Sequence, residues 1–201
     1  MLLVTGGSGC GKSSYAEKRI QEFAAKNGAD IYYLATMQVY GDEGRKKVQR
    51  HIELRRGKGM ITIEKTRNVQ EAIPLMEKMR KPREVISTAE KQDQCVILED
   101  LGNLVANEMF LENGEISNWQ AVAQKVVADI LLLDKCVSYL VLVTNNVFED
   151  GISYEEGTRN YQMALGKVNA SLAREALEVV EVVVGIPQTI KSGVISQNKS
   201  I

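Results

Sequence analysis

Between an apolar run, Met1-Leu2-Leu3-Val4-Thr5, and a stretch carrying Ile20, Phe23 and Ala24 at helical spacing stand eight residues, Gly6-Gly7-Ser8-Gly9-Cys10-Gly11-Lys12-Ser13. They fit G-x-x-x-x-G-K-[ST] without a mismatch, and the context is the one the pattern needs: a strand runs in and an amphipathic helix runs out. Glycines let backbone N–H groups turn inward around an anion where a side chain would block the approach. The loop ends at a helix N-terminus, whose free N–H groups and partial positive charge favour the same anion. The alternative, a glycine-rich turn with no ligand, needs none of Gly11, Lys12 and Ser13 at fixed positions.

The anion is read as the polyphosphate of a nucleotide. Gly6, Gly7, Ser8, Gly9, Cys10, Gly11, Lys12 and Ser13 form the predicted nucleotide-binding set. Lys12 is expected at the β- and γ-phosphates, and the Ser13 hydroxyl on Mg²⁺. Beyond the loop, strand and helix patterns alternate, which predicts an α/β fold: a P-loop NTPase-like, mostly parallel sheet with helices on both faces. The expected elements are strands at 1–5, 30–36, 60–64, 95–98, 139–144 and 179–184, the last being the final strand. Expected helices are at 12–26, 42–56, 102–111, 117–135 and 157–178, with one more opening at Asn68. Asn68 with Glu71, and Ser117 with Gln120, look like capping boxes. Pro74 should bend or divide its helix. Residues 81–94 read as a surface loop, and the polar tail from about 191 as loose. Tyr32 and Tyr33 fall one on each face of their strand. No linker or repeat interrupts residues 1–201, so one nucleotide-binding domain is expected.

Composition narrows the partners. The 201 residues are 44% hydrophobic and carry 25 basic against 26 acidic side chains, a net charge of −1. That balance offers no general attraction to nucleic acid or to an anionic membrane. No apolar run approaches a bilayer span. Three cysteines, Cys10, Cys95 and Cys136, lack metal-ligand spacing and fit a reducing compartment, so a cytoplasmic protein is expected.

Two further positions carry chemistry. Glu99 ends the apolar strand Cys95-Val96-Ile97-Leu98, where an acid near Mg²⁺ belongs. Asp100 competes for that role, because one of the two must point away. His51 is the only histidine. On a helix over 42–56 it shares a ridge with Lys47 and Arg55, and Lys58 lies just beyond. Clustered cations disfavour imidazolium, which keeps the ring neutral and nucleophilic, and they attract a triphosphate. A neutral imidazole can attack phosphorus, displace pyrophosphate and form a phosphoramidate. A solvated surface histidine is the alternative.

Together these residues resemble a family. Val4 to Ser13, then Tyr33-Leu34-Ala35-Thr36, then a basic helix ending in Gln49-Arg50-His51 are similar to the bifunctional adenosylcobinamide kinase/adenosylcobinamide-phosphate guanylyltransferases of cobalamin biosynthesis. Ile97-Leu98-Glu99-Asp100 with Asn103 to Asn107, Val143-Thr144-Asn145 with Val147, and Arg159, Gly166, Asn169 and Leu172-Ala173 match further in order, over about residues 1–187. The resemblance implies two reactions on adenosylcobinamide and its phosphate: phosphorylation of an alcohol by ATP or GTP, then transfer of GMP from GTP through a guanylylated histidine. It places His51 at that histidine, Glu99 at an acid near the nucleotide, and Arg55 and Lys58 at the guanylyl phosphate. It also implies a homo-oligomer.

The sequence departs from the family pattern at Asn146, where a glutamate is usual, at Phe148 to Gly151 with Ser153-Tyr154, and at Gln162-Met163, where Arg-Asp is usual. Two other functions fit the loop alone: a kinase for another small alcohol, with His51 merely solvated, or a diverged nucleotide-binding paralogue with a regulatory role.

Overall fold

The apolar runs form parallel strands, and those inside the sheet are covered on both faces, so they read as nearly continuous hydrophobic stretches. The computed structural model describes residues 1–38, 57–79, 94–111, 113–148 and 151–193. In chain order these contain β1 (Leu2–Thr5), α1 (Lys12–Asn27), β2 (Asp30–Ala35), β3 (Met60–Glu64), a 3₁₀ turn (Val69–Glu71), α2 (Ala72–Met79), β4 (Gln94–Glu99), α3 (Leu101–Met109), α4 (Trp119–Cys136), β5 (Tyr139–Val143), α5 (Glu156–Glu175), β6 (Glu178–Val183) and β7 (Ile186–Ser192). The sheet order is β3-β2-β4-β5-β1-β6-β7. The pairings from β1 to β6 are all parallel, and β7 lies antiparallel on β6. Strand β1 thus sits inside the sheet, and the loop that follows it emerges at the carboxyl edge between β5 and β6.

The side-chain period of two sorts the strands into two cores. Leu3, Tyr32, Leu34, Val96, Leu98, Leu140 and Leu142 pack under α2 to α5. Leu2, Val4, Tyr33, Cys95, Ile97, Val141, Val143, Val180 and Val182 pack under Ala16, Ile20 and Ala24 of α1. Helices cover both faces, as expected, and Tyr32 and Tyr33 do divide between them. Trp119 packs against the first core. Among the described residues no helix is long and apolar enough to cross a membrane.

Several local expectations are corrected. The helix α4 is capped by Asn118, whose side chain accepts from the Ala121 N–H at 3.0 Å, and not by Ser117. Asn68 forms no side-chain cap. It adopts a left-handed conformation, and its own N–H donates to Glu108 Oε1 at 2.8 Å. Its would-be partner Glu71 instead takes Lys65. Pro74 falls in the first turn of α2, where a missing N–H costs nothing, and the 3₁₀ turn ends just before that helix. Strand β6 is not the last, because Gly185 turns the chain back and β7 continues the sheet to Ser192. The helix expected at 42–56 lies outside the described residues, as does nearly all of the loop expected at 81–94.

Helix α1 is tied to the sheet by Arg19, which donates two hydrogen bonds of 2.7 Å to the two carboxylate oxygens of Glu178 on β6. That contact holds the Glu178 carboxyl below the ordinary range. A lowered folded pKa contributes stability that is complete above the unfolded value, near 4.3, and is lost as pH falls through the folded one. Both groups are about a quarter exposed, so the pair is expected to contribute about 1 kcal/mol. Glu178→Gln should therefore melt roughly 2–4 °C lower at pH 7. The difference should close as pH falls through the lowered folded value, in thermal melts across pH.

Candidate active site

The loop Gly6–Ser13 sits where β1 hands over to α1. Gly11 caps α1 in a left-handed conformation with no side-chain cap, so the first N–H groups of the helix stay available to an anion. Neighbouring strands fix the loop on both sides: Asn146 N–H donates to Gly6 C=O at 3.1 Å, and Gly185 N–H donates to Cys10 C=O at 2.8 Å. The unexpected β6–β7 turn therefore braces the loop. A Cβ at Gly6 would lie 2.5 Å from the Val182 carbonyl oxygen and 2.7 Å from Cys10 Sγ. Gly6→Ala is expected to push the loop off β6 at a cost of about 1–3 kcal/mol. Thermal melting with and without nucleotide checks this, and the nucleotide-induced rise in Tm should shrink.

Lys12 is buried, 7% exposed, and its Nζ donates to the Gly7 carbonyl at 3.0 Å across the loop. Ser13 Oγ donates to Glu99 Oε1 at 2.5 Å, joining the loop to the end of β4. Glu99 Oε2 accepts from the Tyr33 hydroxyl at 2.8 Å. Asp100 turns away from Ser13. Its Oδ1 caps α3 through the Gly102 N–H at 2.6 Å, and its Oδ2 accepts from Asn145 Nδ2. Burial pushes the Asp100 carboxyl up, opposed by the Gly102 N–H and the Lys12 charge. Of the two adjacent acids, Glu99 thus meets the loop and Asp100 secures a helix.

Other motif residues hold this edge together. Thr36 Oγ1 donates to Asp100 C=O at 2.7 Å and accepts from Asp100 N–H at 2.8 Å. Asn107 Nδ2 donates to the carbonyls of Thr36 and Thr66, at 2.7 and 3.0 Å. Thr144 Oγ1 donates to Asn169 Oδ1 at 3.0 Å. A cavity of about 760 Å³ opens beside the loop, lined by Gly7, Cys10, Tyr154, Tyr161, Gln162 and Glu181 among others. Asn146 lines it too, so three positions of departure, 146, 154 and 162, face this space. Burial, and then the Asp100 charge, push the Tyr161 phenol up to about 12. Gln162 Nε2 donates to the Val147 carbonyl at 3.0 Å and braces the segment after β5.

Not every expected site residue joins this group. Lys58 forms an ion pair with Glu17 of α1. His51 and Arg55 lie outside the described residues. Tyr33, read from sequence as a strand residue only, is the member that reading missed.

The family model described as cobinamide kinase / cobinamide phosphate guanyltransferase matches residues 2–190. The chain belongs to that family. It is by membership a transferase, with a kinase and a guanyltransferase activity. The bifunctional adenosylcobalamin biosynthesis protein CobU of Escherichia coli (strain K12) is 31% identical over 199 residues, covering 95% of this chain and 99% of that protein. Its namesake in Salmonella typhimurium (strain LT2) is 30% identical over 200 residues, with the same coverage. Among solved structures, a KaiC-like protein of the hyperthermophilic archaeon Pyrococcus horikoshii is similar at a TM-score of 0.43 and 17% identity, over 90% of this chain and 69% of that one.

Proposed function

We propose that this chain phosphorylates adenosylcobinamide at its alcohol with a nucleoside triphosphate held on Gly6–Ser13, then transfers GMP from GTP to that phosphate through a covalent guanylyl-histidine at His51. The observation that supports the first step is the junction of buried Lys12, Ser13 and Glu99 at one loop, with Ser13 Oγ and Glu99 Oε1 2.5 Å apart. Two hard oxygen donors beside a phosphate cradle fit a magnesium ion. Among the described residues no three His, Cys, Asp or Glu side chains converge, so the remaining ligands would be phosphate oxygens and water. Bound there, Mg²⁺ would neutralise the charge of the phosphates.

The chain's own groups do the rest. Loop N–H groups and the Lys12 ammonium hold the polyphosphate and spread the charge that grows on it as the acceptor hydroxyl oxygen attacks the γ-phosphorus. The bond to the β-phosphate oxygen breaks to release nucleoside diphosphate, and the hydroxyl proton passes to solvent. The cavity beside the loop is the space for that acceptor. In the second step an imidazole nitrogen of His51 attacks the α-phosphorus of GTP and pyrophosphate leaves. A phosphate oxygen of adenosylcobinamide phosphate then attacks the same phosphorus and frees the histidine. Arg55 and Lys58 are assigned to the guanylyl phosphate; Lys58 would have to exchange Glu17 for it. The protein acts as a homo-oligomer of one nucleotide-binding domain.

The test is incubation with Mg²⁺ and GTP labelled at the α-phosphate. Acid-labile, alkali-stable label on the protein is expected. Bound nucleotide without covalent label would remove the guanylyl-histidine and leave the kinase.

A further inference from the structure

Glu99 is gripped at both oxygens, by a loop hydroxyl at Oε1 and by a strand hydroxyl at Oε2. The second grip follows from strand register. Tyr33 on β2 is paired with Ile97 on β4, and Glu99 lies two residues further on, so the two side chains share a face at diagonal distance, within reach of a long aromatic side chain. That face is the one covered by α1, the helix that begins at Lys12 and Ser13. We propose that Tyr33 is a positioning residue for the Glu99 carboxylate and, through it, for the divalent cation of the phosphate loop. This inference rests on the assignment of that cation to Ser13 and Glu99.

The chemistry is specific. A serine hydroxyl has one proton and two lone pairs, so Ser13 can donate to Glu99 Oε1 while a lone pair faces a metal. A glutamate side chain at a strand end has three torsions and, held only at Oε1, can swing its second oxygen toward the cation or away. The Tyr33 hydroxyl takes Oε2 and fixes the plane of the carboxylate. Tyr33 is 4% exposed, so its ring is held by packing and its proton points at a fixed place. A partner behind a metal ligand tunes affinity without touching the ion.

The experiment is equilibrium binding of guanylyl imidodiphosphate, which is not turned over, titrated with Mg²⁺, on Tyr33→Phe, Glu99→Gln and the double variant. Tyr33→Phe is expected to raise the Mg²⁺ concentration for half-maximal effect about 10-fold. Affinity without Mg²⁺ should change much less than this, and the melting temperature without nucleotide should fall by no more than roughly 2–4 °C, as the loss of one buried hydrogen bond implies. In the Glu99→Gln background Tyr33→Phe should add no further shift, because its effect passes through the carboxylate. An Mg²⁺ dependence altered by Glu99→Gln but not by Tyr33→Phe would overturn this inference alone. Full additivity of the two variants would do the same. A dependence unmoved by Glu99→Gln would overturn the metal assignment together with it.

Discussion

His51→Ala should lower guanylyl transfer by on the order of 10³-fold or more while phosphorylation of adenosylcobinamide continues. The two steps break different bonds. Phosphorylation cleaves between the β- and γ-phosphates with the acceptor hydroxyl as nucleophile, and the groups assigned to it are those of Gly6–Ser13 and Glu99. Guanylyl transfer cleaves at the α-phosphorus, and the nucleophile proposed for it is the His51 imidazole. On that proposal, without that nitrogen no covalent enzyme would form, and the acceptor phosphate, itself an anion, would have to attack a charged triphosphate directly. The measurement is separate assay of phosphorylated and guanylylated product, with α-phosphate label on the protein followed beside them. Label that persists in His51→Ala would place the nucleophile elsewhere. Loss of both activities together, with nucleotide still bound, would mean that the 42–56 segment serves the first step as well.

Lys12→Ala should instead remove both steps at once, each by about 10²–10³-fold. The ammonium is buried at the loop and is held across it by the Gly7 carbonyl. A cation so placed has shed most of its water, and its attraction for phosphate is correspondingly less screened. Truncation leaves the Gly7 carbonyl without that donor and the phosphates without a counter-charge. Binding of guanylyl imidodiphosphate should weaken in parallel with the two rates. Guanylyl transfer that survived in Lys12→Ala would show that GTP reaches His51 without the loop. The pair of variants therefore separates a loop shared by both reactions from a loop used by the kinase alone.

Much of this site is local and is legible in the chain itself. The eight loop residues define a strand-to-helix anion cradle because the glycines, the lysine and the serine act within a few residues of one another. Continuous apolar runs mark strands covered on both sides, and the period of two places Tyr32 and Tyr33 on opposite faces. The order of matched segments, with His51 among them, carries the resemblance to the family that comparison of the whole chain bears out.

What only the tertiary structure decided concerns neighbours distant in sequence. Glu99 and Asp100 are chemically near-equivalent in the chain. The turn into α3 makes one a helix cap and leaves the other at Ser13, 86 residues away. Tyr33 reaches Glu99 because β2 and β4 are adjacent in the sheet order, a pairing that no property of either strand alone specifies. Lys58 meets Glu17, and the turn at Gly185 meets Cys10, for the same reason. Strand β7 escaped the sequence reading because Ile186–Ser192 is largely exposed and carries a proline, and it is a strand only by virtue of the β6 edge it pairs with. Short-range preferences are set by backbone sterics and side-chain periodicity, which a sequence displays. The partners of a strand end are set by how the whole sheet closes its hydrogen bonds and buries its two faces, which depends on every strand at once.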